Sequence, residues 1–133
     1  MTIEINDAQR YAETIAEELR LLDSALQSPD SPALAELFGD YDEEDIFTEL
    51  DVLSLYVNNL ALDLSVRRDT RGAEYGSTIE ITRTIGGPGC WIRRDTTNGD
   101  WLEVTAAWGG SRGHVELSLN TLSAWLDELA AML

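Results

Sequence analysis

A chain of 133 residues, 44% of them apolar, is long enough to bury one core and too apolar to be disordered by default. Its formal net charge of −16 works against direct contact with DNA, RNA or an anionic membrane and favours basic partners. All nine cations are arginine, which removes lysine chemistries such as Schiff bases and phosphate-loop grips, and the single cysteine, Cys90, excludes an internal disulfide.

The first helix is carried by Tyr11, Ile15, Leu19, Leu22 and Leu26, spaced four and three apart on one face. Asn6 and Gln9 form a capping pair before it, and "SPDSP" at residues 28 to 32 ends it. Ser31-Pro32 then opens a short second helix running to about Phe38, closed by Gly39. A third helix follows the acidic run and aligns Ile46, Leu50, Leu53, Val57 and Leu60.

The period then changes from helical to two. Leu60, Leu62, Leu64 and Val66 alternate with Ala61, Asp63, Ser65 and Arg67, as a strand does. Ile79, Ile81, Arg83 and Ile85 make a second strand, and "GGPG" is a turn. Cys90 to Arg94 make a third. Asn98-Gly99 is a hairpin signal ahead of a strand from Trp101 to Trp108. "GGSRG" leads into a fifth strand from His114 to Leu119, and Leu122, Trp125, Leu126, Leu129 and Leu133 mark a closing amphipathic helix.

The expected fold is α+β: three N-terminal helices, a five-stranded antiparallel meander and a C-terminal helix, with the helices on one sheet face. It is a single domain over residues 1–133, comprising an acidic helical half (1–60), a sheet (61–119) and a closing helix (120–133). Met1-Thr2-Ile3-Glu4 offers no leader pattern and no apolar run reaches spanning length, so a cytoplasmic protein is expected.

The charge is one-sided. Residues 1–66 hold sixteen acids and two arginines, a balance of −14, whereas residues 67–133 balance to −2. The densest part is "GDYDEEDIFTELD", with seven carboxylates and no cation: Asp40, Asp42, Glu43, Glu44, Asp45, Glu49 and Asp51. A calcium loop starting at Asp40 fails because Asp45 stands where the sharp turn needs glycine, and Asp51 stands where a bidentate glutamate belongs. Acids at a helix start complement its dipole, each worth about 0.3–1 kcal/mol. Two or three satisfy that role; seven exceed it, and the excess repulsion points to a partner.

Enzyme signatures are missing from the sequence. Cys90 and His114 fall on the third and fifth strands, roughly 10 Å apart, too far for a thiol–imidazole pair. A structural zinc site needs four Cys or His ligands, and no nucleophile elbow, phosphate loop or dinucleotide fingerprint occurs. No enzyme, cofactor or metal is expected.

The expected function is docking of an anionic helical surface on a basic, nucleic-acid-binding protein. Carboxylates at i, i+3 and i+4 lie about 5–6 Å apart and imitate a phosphate row. Glu13 and Glu17 of the first helix extend the run into that surface. In size and acidity, though in no motif, the chain is similar to small phage or mobile-element inhibitors of restriction and CRISPR systems. The alternative is an immunity protein, antitoxin or secretion chaperone acting on a basic cognate protein. Arg67, Arg83, Arg93, Arg94 and Trp101 on the strands form a candidate secondary interface, either for that partner or for the acidic half of a second copy in a homodimer. Trp101 and Trp108 have opposite parity, so at least one of them is expected on the uncovered sheet face unless a bulge intervenes.

Overall fold

A computed structural model describes residues 7–27, 36, 49–61, 63–72, 75–84 and 89–132. Helix α1 (Asp7–Gln27) contains neither glycine nor proline and lays Ala8, Ala12, Ile15, Ala16, Leu19, Leu22, Ala25 and Leu26 into the core. The alanines bring its N-terminal half close to the sheet. At Gly113 a Cβ would stand 2.3 Å from the Ala8 carbonyl oxygen, so glycine there is a condition of the close approach.

Helix α2 (Glu49–Leu60) buries Val52, Leu53 and Tyr56 completely. The strands follow as β1 (Asp63–Arg68), β2 (Ser77–Thr84), β3 (Gly89–Asp95), β4 (Trp101–Trp108) and β5 (Ser111–Ser118), and helix α3 (Asn120–Met132) closes the chain. The sheet order is β1-β2-β3-β4-β5, with every neighbour antiparallel. Gly109 takes φ 58° in the two-residue loop between Trp108 and Ser111, a backbone that tight hairpin turns require.

One sheet face carries the row Leu64, Ile81, Ile92, Val104 and Val115, and α1 packs over its β4–β5 side. Leu122, Leu126 and Ala130 of α3 complete the core. Each large side chain so buried contributes about 1.5–3 kcal/mol. The opposite face carries the row Ser65, Glu80, Arg93, Glu103 and Glu116, and no described helix covers it.

The α+β class, the five-stranded antiparallel sheet and the closing helix agree with expectation. The helix count does not. The described residues hold three helices in all, two before the sheet and one after it. Of the short helix expected from Pro32 to Phe38, only Glu36 is described, and it is helical and exposed. Leu60 ends α2 rather than opening β1, because Leu53, Tyr56 and Leu60 continue a helical stripe past the onset of alternation. Ile85 and Leu62 lie outside the described residues.

Candidate functional site

Of the acidic run, Asp40, Asp42, Glu43, Glu44 and Asp45 lie outside the described residues, and Glu49 and Asp51 fall in α2, with Asp51 half-buried. The remaining two members of the expected surface, Glu13 and Glu17, are exposed on α1. With Gln9 and Arg20 they line a groove of about 630 Å³ between α1 and the edge strand β5, whose far wall is His114 and Glu116. Glu17 is ion-paired with Arg20 three residues on, and the Gln9 amide donates to Glu13 Oε1 at 3.3 Å.

Gln9 also fixes the groove's floor. Its amide nitrogen donates to the His114 carbonyl at 3.0 Å, and its amide oxygen accepts the His114 N–H at 2.8 Å. A side-chain amide thereby takes the place of one residue of a neighbouring strand and blunts the β5 edge.

Two acids of the first half point inward instead. Glu18 accepts two hydrogen bonds from the Arg83 guanidinium, at 3.0 and 3.1 Å, and one from the Tyr56 hydroxyl at 2.9 Å. Burial, then the charge of Glu18, pushes the Tyr56 hydroxyl far above its ordinary range, and the bond to Glu18 raises Arg83. Asp23, 8% exposed, accepts the Leu122 N–H at 2.8 Å and so satisfies an open donor in the first turn of α3. Gln27 holds the other oxygen at 2.8 Å.

The arginines separate by face. Arg94 is 3% exposed on the helix-covered face, in a two-point ion pair with Asp127 of α3 at 2.9 and 3.1 Å, and it donates to the carbonyls of Asn98 and Trp101. Arg83 shares the parity of Ile79 and Ile81 on β2, and its side chain lies on the helix side with Glu18. Neither Arg83 nor Arg94 therefore belongs to the open face. Arg67 and Arg93 do, with Arg93 3.6 Å from Glu103 and 5.8 Å from the ring centre of half-buried Trp101. Trp101 and Trp108 do have opposite parity: Trp101 sits on the open face, and Trp108 is 47% exposed at the end of β4.

Cys90 and His114 do not meet. Cys90 is buried on the helix-covered face, opposite Ala106 and next but one to Gly113, whereas His114 is exposed on the other face. Burial holds the Cys90 thiol at about 12, far from a nucleophile's range. Among the described residues no helix is long and apolar enough to cross a membrane.

Sequence reasoning missed Gln9, Glu18, Asp23 and Tyr56. A signal was present for two of them: Asp23 stands four residues after Leu19 and three before Leu26, and Glu18 stands between Ile15 and Leu22. A carboxylate on the apolar stripe of a helix needs an internal partner. Compared with protein-family models, curated proteins and solved structures, the chain matches none.

Proposed function

We propose that the protein is a non-enzymatic cytoplasmic inhibitor that docks an anionic surface on a basic, nucleic-acid-binding protein, in the manner of a DNA or RNA mimic. The observation that carries this reading is where the arginines are spent. Among the described residues, five of the nine are held in ion pairs with acids outside the run: Arg20–Glu17, Arg71–Asp69, Arg83–Glu18, Arg93–Glu103 and Arg94–Asp127. The other four are Arg10, Arg67, Arg68 and Arg112, of which Arg68 donates to the Ala130 carbonyl and Arg112 is also engaged. Even with Asp51 set aside, the run brings six carboxylates: Asp40, Asp42, Glu43, Glu44, Asp45 and Glu49. One-to-one pairing within the chain therefore leaves at least two without an arginine. A basic partner supplies what the chain lacks.

Glu13, Glu17 and Glu116 support the same reading, since all three line the α1–β5 groove and leave it acidic towards a basic side chain of a partner. The open sheet face favours a second reading, an immunity protein, antitoxin or secretion chaperone. Trp91, Arg93 and Trp101 there have the composition of a protein-binding centre, with Arg67 at the rim.

Capture from an extract of the native host, in the presence of competing duplex DNA or structured RNA, separates the two. A mimic's partner is lost to competing nucleic acid and to salt, because exposed charges are screened within about 8 Å at physiological ionic strength. Capture indifferent to both competitors contradicts the mimic and favours the second reading.

A further inference from the structure

We infer that Glu103, His114 and Glu116 form a binding site for one first-row divalent metal ion, of the zinc, cobalt or manganese class, on the open face of the sheet. This inference does not rest on the proposed docking function, although His114 and Glu116 also line the α1–β5 groove. The ligands come from two strands. Glu103 on β4 is paired in register with Glu116 on β5, and His114 lies two residues before Glu116, so all three project on the same side. One ligand atom from each lies within 4.8 Å of the others.

Metal bonds of about 2.0–2.2 Å draw such atoms to roughly 3 Å apart. The closing movement falls to His114 and Glu116, whose side chains are 49% and 62% exposed. Glu103 is already held. Its carboxylate accepts the Thr105 hydroxyl at 3.3 Å and faces Arg93 at 3.6 Å, and its side chain is 18% exposed. The backbone of His114 is pinned from outside the cluster, by the two hydrogen bonds to Gln9 of α1.

Electrostatics points the same way. Two carboxylates directly opposite each other on antiparallel strands repel and destabilise the pair. Arg93 serves Glu103, while Glu116 has for a neighbour an imidazole, with His114 Nε2 at 3.5 Å. A divalent cation neutralises both carboxylates and uses that nitrogen as a ligand. One imidazole and two carboxylates suit borderline-to-hard ions, with water completing the shell. The set escapes sequence inspection because its spacing, eleven and then two residues, fits no linear metal motif.

The test is calorimetric titration of the metal-free full chain with zinc chloride, repeated with cobalt chloride and followed by visible absorption. The expected result is one saturable site with a Kd on the order of 10 µM. H114Q and E116Q each weaken it by at least about tenfold, as loss of a ligand should. E80Q, on the same face but outside the cluster, leaves it unchanged. Circular dichroism of each variant confirms the fold, so a lost site is separated from a lost structure. No saturable binding, or zinc binding of equal strength in folded H114Q, overturns the inference; the latter assigns the metal to carboxylates elsewhere, such as the acidic run.

Discussion

Cys90 shows how position decides chemistry for a single residue. The same thiol exposed at a helix start would be a nucleophile, but here the sheet and helices remove it from water, and burial outweighs the opposing charge of Arg83. Raised from 9.0 to about 12, it carries roughly 10³-fold less thiolate at pH 8 than its exposed counterpart. In the native protein a disulfide reagent at pH 8 should react with Cys90 at least about a hundredfold more slowly than in denaturant. Rapid stoichiometric labelling of the native chain would contradict its placement. The linkage has a definite sign. A group whose pKa is raised by folding stabilises the fold fully below its unfolded value, and that contribution is lost as pH rises. For Cys90 the loss runs from pH 9.0 to about 12, and Tyr56 adds to it above pH 10.0.

At the scale of elements, the decisive contacts are those that dock α3. Its first turn is satisfied by Asp23 of α1, and its middle is tied to β3 by the Arg94–Asp127 pair. Replacing Asp23 with alanine leaves the Leu122 N–H without its acceptor in a buried place and should cost about 1–3 kcal/mol, read as a lower urea midpoint with unchanged slope. A wild-type midpoint would show that water or a neighbour replaces the carboxylate without cost. These contacts also mark what the sequence discloses at this scale. Strands β3, β4 and β5 were legible because Ile92, Val104 and Leu117 alternate with polar residues, and α1 because of its apolar stripe. Arg94 was not. It sits on the buried parity of β3, and alternation alone cannot distinguish an arginine at an open face from one that reaches a carboxylate on a helix thirty-three residues away in sequence. The α2–β1 junction was misread because Leu60 and Leu64 satisfy both periods at once.

Charge is one-sided along the chain, and the described part of the fold tempers that polarity. Glu18 and Asp23 belong to the −14 half of the chain, yet both are consumed in holding the structure together. The exposed face of α1 is mixed rather than purely acidic, since Arg10 and Arg20 stand among Asp7, Glu13 and Glu17. The weight of the proposed docking surface therefore shifts from α1 alone towards the acidic run and the α1–β5 groove. Of this surface, the sequence made the charge density visible but not the groove, because Glu116 joins Glu13 and Glu17 only through the packing of α1 on the β5 edge. The central claim is that the run itself binds the partner. The most direct measurement compares the affinity of the captured partner for the wild type and for the variant D40N/D42N/E43Q/E44Q, with folding of both verified by thermal denaturation. Loss of four charge contacts in a phosphate-like array should weaken binding by at least about 10³-fold at physiological salt and flatten its dependence on salt. Equal affinity and equal salt dependence in the folded variant would contradict the account.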